Sequence, residues 1–254
     1  MILYNASSSY YSMIARYALF EAAIPFENRR MDIHLAKEQL DPWYIAINPK
    51  MTVPSLMDGP HIWTDSQDIL NYAASRADGL WMDNNEELKL NIQQIVYAHY
   101  NITIERLTFS KALTSIPFLR FVVPHRLCRT IKKLEKENKS MQNQAIEAKI
   151  ILNKQRLAFF TEGSLLEKLK LERKSVCNFI EKLPAPGDLL FGDKISSADI
   201  VVAALFTRLR MIGEYDLVEY RALTSWYERI QERPAFKNAD MWSYFQPWRI
   251  LFKR

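Results

Sequence analysis

The chain predicts an α/β half over residues 1–78 followed by an all-helical half over residues 86–254. Three observations carry this. The first 76 residues give the element order β-α-β-α-β-β-α. Turn residues then gather in Ala77-Asp78-Gly79-Leu80-Trp81-Met82-Asp83, where helical periodicity stops. After Glu86 the apolar residues recur at helical spacing.

Residues 1–5 read as a buried strand. Residues 10–23 place Met13, Ile14, Tyr17, Ala18 and Phe20 on one helical face, ending before Pro25. A weak edge strand is expected around 27–33, then a short helix at 41–46 closed by Asn48-Pro49. Residues 53–57 and 61–63 pair as a hairpin turning at Asp58-Gly59, and Ser66 opens a helix over 66–76.

In the helical half, Ile92, Ile95, Val96, His99 and Ile102 share a face. Pro117 and Pro124 are expected to break the pattern. From Leu127 to Phe160 a charged stretch carries Leu127, Ile131, Leu134, Met141, Ala145, Ala148 and Leu152 at roughly helical spacing. It predicts one long or two broken amphipathic helices. Ser196 and Asp199 have capping-box spacing, with Ile195 and Ile200 as the hydrophobic staple; this box is read as a folding element.

At 254 residues and 48% apolar content, with only 6 glycines, the chain is an ordered globule with ample core. Its formal charge of +5 is spread among 29 acidic residues without a long basic run, which sets nucleic-acid binding aside. Cys128 and Cys177 form no metal or redox spacing, and His34, His61, His99 and His125 form no ligand pattern, so no metal is expected. No apolar run approaches the roughly 18 residues of a membrane span, and Met1-Ile2-Leu3-Tyr4-Asn5 enters a strand without a signal-peptide pattern. The expected address is the cytoplasm, with no integral membrane association.

The motif with most chemical content is Asn48-Pro49-Lys50-Met51-Thr52-Val53-Pro54-Ser55-Leu56, followed by Asp65-Ser66-Gln67-Asp68. An apolar residue before proline at the mouth of a β run suggests a cis peptide. Such a bond leaves the main chain of Val53 open to an extended peptide ligand. At Asp65-Ser66 a hydroxyl and fresh backbone N–H groups at a helix start suit a carboxylate. Together these features suit glutathione.

Residues 1–80 resemble the thioredoxin-like N-terminal domain of the glutathione transferase superfamily. The likeness rests on Ile2-Leu3-Tyr4, on Ser7-Ser8-Ser9-Tyr10-Tyr11-Ser12-Met13-Ile14-Ala15-Arg16, on Val53-Pro54 and on Asp65-Ser66. It leans toward the zeta/theta-like branch, which holds the tetrachlorohydroquinone reductive dehalogenases. With a polar helical insertion near 125–160 it also resembles the ganglioside-induced differentiation-associated proteins. That insertion is either a partner-binding element or an extension packed on its own domain. The resemblance implies a cleft between the two halves, a homodimer, and glutathione as co-substrate. The implied activity is detoxifying transfer to a hydrophobic electrophile, or isomerisation through the same thiolate.

By the same resemblance Ser9 falls where serine-type transferases carry their activating hydroxyl; as an ordinary residue it caps the first helix. Lowering a thiol pKa of about 8.5 by ~2 units requires ~2.7 kcal/mol. A charge-assisted hydrogen bond and a helix dipole together reach that figure. Tyr10 and Tyr11 are the next candidate donors, or else the apolar wall of the second-substrate pocket. Tyr11 stands where the dehalogenases carry a nucleophilic cysteine, which argues against mixed-disulfide chemistry. Val53 and Pro54 would hold the cysteinyl main chain, Ser66 the γ-glutamyl carboxylate and Asp65 the ammonium. The family's lysine or glutamine before Val-Pro is replaced by Met51 and Thr52, and Lys50 either reaches the glycyl carboxylate or is solvated. This departure favours a rival, a non-catalytic binding module that uses the 125–160 helices for a protein partner.

Overall fold

The computed structural model describes residues 1–77, 79–218 and 221–246, with side chains for all of these but Ser140, Met141 and Arg221. Asp78, the expected domain edge, lies outside them, as do residues 219–220 and 247–254. The chain forms two compact units. One holds Met1–Asn48, Thr52–Ile102 and the described residues from Val176 onward; the other holds Pro49–Met51 and Thr103–Ser175.

The first unit is built on a four-stranded sheet of order β2-β1-β3-β4. Its strands are β1 (Ile2–Asn5), β2 (Glu27–Arg30), β3 (Ser55–Asp58) and β4 (His61–Trp63). β2 runs parallel to β1, whereas β3 is antiparallel to β1 and β4 to β3. Alternation along β1 divides its side chains between two cores. Leu3 packs with Leu56, with Ala15 and Leu19 of helix α1 (Tyr10–Glu21) and with Ile69 of helix α3 (Ser66–Arg76). Tyr4 packs on the other face with Met31, Val53 and Tyr44 of the short helix α2 (Pro42–Ile45). An α/β half with this element order is therefore present as expected.

Helix α1 stops at Glu21, two residues short of expectation. Ala23 adopts φ 51°, and Ile24 N–H reaches back to the Leu19 carbonyl at 3.0 Å. That is a Schellman-type stop, made with alanine rather than glycine.

The same unit contains helix α4 (Lys89–Tyr100) and, late in the chain, α9 (Ser197–Met211), α10 (Arg221–Glu232) and α11 (Pro234–Asn238). α9 is buried from Ser197 to Leu209. It begins at the expected capping box. Ser196 N–H donates to Asp199 Oδ2 at 3.0 Å, and Asp199 N–H returns to Ser196 Oγ at 3.2 Å. The other carboxylate oxygen accepts from Leu190 N–H and Trp226 Nε1, each at 2.9 Å. Trp242 is buried, its backbone N–H donating to Met13 Sδ at 3.2 Å, while Tyr244 and Phe245 are exposed.

The second unit contains helices α5 (Ile104–Ser115), α6 (Leu119–Met141), α7 (Gln144–Thr161) and the first part of α8 (Leu165–Ile180). Pro124 does not break α6, contrary to expectation. The turn before it is held by i→i−3 bonds, such as Leu119 N–H to Ile116 O at 3.0 Å and Arg120 N–H to Pro117 O at 3.0 Å. Pro124 is the sixth residue of α6, so the helix continues past it with the bond to the Arg120 carbonyl missing. The charged stretch forms two helices, broken at Gln142 (φ 46°) and recapped by Asn143. The break resets the phase: α7 buries Ile146, Lys149, Ile150 and Asn153, not Ala148 and Leu152, which are exposed.

Asp199→Ala removes an acceptor shared by four buried donors and leaves the Trp226 and Leu190 N–H groups unpaired. We expect a loss of about 2–4 kcal/mol in urea unfolding, with Asp199→Asn losing less.

Candidate active site

The segment that carries the candidate hydroxyls leaves the end of β1 and enters α1. Buried Arg16, on α1, donates from Nη1 to Asn5 Oδ1 at 2.7 Å and to the Ala6 carbonyl at 3.2 Å. Its Nη2 donates to the Ser7 carbonyl at 3.3 Å and the Asp240 carbonyl at 3.1 Å, and its Nε to the Ala239 carbonyl at 2.7 Å. Arg208 of α9 donates to the next carbonyl, Ser8 O, at 2.9 Å. Three successive carbonyls are thus held by two buried guanidinium groups. Ser9 follows as the N-cap of α1, its hydroxyl oxygen accepting from Ser12 N–H at 3.3 Å. A hydroxyl that accepts through oxygen keeps its proton to donate.

Tyr10 and Tyr11 meet the last turn of α4. Tyr10 Oη lies 2.6 Å from His99 Nε2, both groups buried, and the Arg208 guanidinium stands 5.5 Å from the Tyr10 ring centre. Burial pushes the Tyr10 phenol well above its usual range and holds the His99 imidazole down at about 3, so both stay neutral. Tyr11 stacks on Tyr100 with planes 10° apart and centres 6.2 Å apart.

Tyr100 Oη in turn lies 2.9 Å from Ser66 Oγ at the start of α3. Ser66 is buried, and Asp65 caps the helix by accepting from Gln67 N–H at 3.0 Å. Burial raises the Tyr100 phenol, which therefore keeps its proton; either hydroxyl of the Tyr100–Ser66 pair can donate.

The Val53–Pro54 peptide is cis. Pairing of β3 with β1 begins only at Ser55, so this dipeptide sits just outside the ladder. It is bracketed by two side chains. Tyr44 Oη donates to Thr52 O at 2.6 Å and lies 2.9 Å from Ser55 Oγ. Asn48 Nδ2 donates to Thr52 O at 2.9 Å and to Ser55 Oγ at 3.0 Å.

Lys50 belongs to the second unit, where its side chain is exposed. There buried Lys149 donates to the Met51 carbonyl at 2.9 Å and the Lys50 carbonyl at 3.3 Å, and burial lowers its pKa to about 8. Among the described residues no three His, Cys, Asp or Glu side chains gather to hold a metal. No described helix is long and apolar enough to cross a membrane.

Residues 3–81 match the glutathione S-transferase N-terminal domain, and residues 128–234 match the C-terminal domain. The chain belongs to the glutathione transferase superfamily. It is 24% identical to the tetrachloro-p-hydroquinone reductive dehalogenase of Sphingobium chlorophenolicum, across 93% of this chain and 94% of that protein. It is also 24% identical to glutathione S-transferase TCHQD of Arabidopsis thaliana, across 98% and 92%. Among solved structures, glutathione S-transferase isozyme E7 of Drosophila melanogaster superposes with a TM-score of 0.63 at 19% identity, covering 94% of this chain and 90% of that one. The family assignment accounts for the α/β-then-helical order and makes the chain a glutathione transferase enzyme.

Within the first unit of this transferase, Tyr10, Tyr11 and Ser66 are joined through His99 and Tyr100 of α4, with Ser9 and Asp65 as their chain neighbours, while Val53 and Pro54 sit just before β3. Sequence reasoning missed Tyr44, His99, Tyr100 and Arg208 as parts of this arrangement, and in the second unit it missed Lys149. The α4 periodicity did mark His99 as inward-facing; no pattern paired it with a tyrosine 89 residues away.

The neutral His99 sets a pH dependence. Its folded pKa lies below the ordinary 6.5, so the unfolded chain binds the proton first, and stability falls as pH drops from about 6.5 toward 3. His99 contributes a slope of at most ~1.4 kcal/mol per pH unit. Urea unfolding at stepped pH should show His99→Gln losing that component of the slope.

Proposed function

We propose that this enzyme transfers glutathione to a hydrophobic electrophile, or isomerises a substrate through the same thiolate, with Ser9 as the hydroxyl that stabilises the sulfur anion. The observation carrying this reading is the division of labour among the hydroxyls. Ser9 accepts a helix N–H through its oxygen and retains a proton, whereas the Tyr10 phenol is engaged with His99.

The Ser9 proton, the positive end of α1 and the nearby guanidinium groups all favour the anion. The thiolate then attacks the electrophilic carbon, and the leaving group departs with the bonding pair. Val53 pairs its main chain with the cysteinyl residue. Ser66 and the first N–H groups of α3 receive the γ-glutamyl carboxylate, and Asp65 meets the ammonium. Tyr11, stacked on Tyr100, walls the second-substrate pocket. Tyr11 is not a thiol, so the reaction runs without a protein mixed disulfide; the dehalogenase relative supports glutathione chemistry in general, not dehalogenation here. Lys50 offers its ammonium to the glycyl carboxylate from a loop held by Lys149. A cytoplasmic homodimer acting in detoxification completes it.

The rival, a binding module that uses the α6–α7 pair, is favoured by one observation. Met51 is buried, and Thr52 offers its carbonyl to Tyr44 and Asn48, so neither replaces the missing lysine or glutamine. One experiment separates the two. Wild type should be retained on immobilised glutathione and should conjugate a chlorodinitrobenzene. Ser9→Ala should stay on the resin and lose about 10- to 100-fold in kcat, the loss expected for one charge-assisted hydrogen bond. Wild type that neither binds nor turns over would leave the rival standing.

A further inference from the structure

We infer that Tyr100 is a positioning residue for glutathione, fixing the Ser66 hydroxyl so that its proton points at the γ-glutamyl carboxylate. This rests on the proposed use of Ser66 and extends it to a residue from the helical part of the chain.

A serine hydroxyl has one proton and two lone pairs, and left alone it rotates among several directions. A rotor that can choose between the ligand and other acceptors pays entropy on binding. Here Ser66 Oγ is buried and meets the Tyr100 phenol at 2.9 Å. Tyr100 stays protonated, because burial raises its pKa and the nearby Asp65 and Asp68 charges add to that. Either hydroxyl of the pair can donate. When a bound carboxylate accepts the serine proton, the phenol donates to Ser66 Oγ and fills one of its lone pairs. An anion at the first turn of α3 is the acceptor the helix start already favours.

Tyr100 is itself held in place. Its ring stacks on Tyr11, and its sequence neighbour His99 is hydrogen-bonded to Tyr10. Two consecutive residues at the end of α4 therefore engage two consecutive residues at the start of α1, while one of them also engages the start of α3. The Tyr100 hydroxyl cannot drift from Ser66 without disturbing the stack. Its effect should fall on carboxylate recognition rather than on the thiol, which is served at Ser9.

Tyr100→Phe keeps the ring and the stack and removes only the hydroxyl. The test compares wild type, Tyr100→Phe, Ser66→Ala and the double variant, using glutathione and an analogue whose γ-glutamyl group lacks the α-carboxylate. We expect Tyr100→Phe to raise KM for glutathione about five- to tenfold, the effect of one neutral hydrogen bond, with kcat within about twofold of wild type. Binding of the decarboxylated analogue should not change. In the Ser66→Ala background the Tyr100 change should add almost nothing.

Four results would overturn the inference: unchanged KM, equal weakening of both ligands, full additivity with Ser66→Ala, or tighter glutathione binding by Tyr100→Phe. The last would mean that the phenol obstructs the serine. Wild type that fails to bind glutathione at all would instead refute the proposed function.

Discussion

The site depends on the burial of two guanidinium groups beneath one loop. Arg16 and Arg208 together hold the carbonyls of Ala6, Ser7 and Ser8, and Arg16 also ties the Asn5 side chain to the carbonyls of Ala239 and Asp240. Burying a cation costs several kcal/mol unless its donors are satisfied, and the five N–H groups of Arg16 meet five oxygens. With the carbonyls pinned, the main chain has one way into α1, and Ser9 becomes its N-cap. The arginines also leave fixed positive charge behind the loop. That charge adds to the helix dipole in favouring an anion at Ser9.

The end of α4 is a second constraint, and it works through aromatic rings. Tyr10 with His99 and Tyr11 with Tyr100 form two adjacent couples, one hydrogen-bonded and one stacked. The buried Tyr10–His99 couple holds geometry without carrying charge. They join the start of α1, which would serve the thiol, to the start of α3, which would serve the carboxylate. A displacement of α4 would therefore move both ends of the proposed ligand site together.

Much of the fold was legible because it is written in local signals. A buried strand run placed β1, the Asp58-Gly59 turn placed the β3–β4 hairpin, and Ser9, Ser66 and Ser196 marked helix starts, although the cap of α3 is Asp65 and Ser66 its first residue. The cis Val53–Pro54 bond was read from an apolar residue before proline. Local signals failed where one position reset the pattern: Gln142 in the left-handed region shifted the buried face of α7, and Ala23 ended α1 early. Within the candidate site, Tyr44 and Asn48 sit near the dipeptide they bracket, yet no spacing rule assigned them. Tyr100, Arg208 and Lys149 reach their partners across 34, 200 and 98 residues. Such contacts come from packing, which sequence periodicity does not encode.

The central claim is that the start of α1 converts a bound thiol to its anion. Calorimetric titration of glutathione into the wild-type enzyme at pH 7, in buffers of different ionisation heat, counts the protons released per site. A thiol pKa lowered by ~2 units from about 8.5 predicts release of most of one proton on binding. Glutathione that binds with its proton retained would contradict the account.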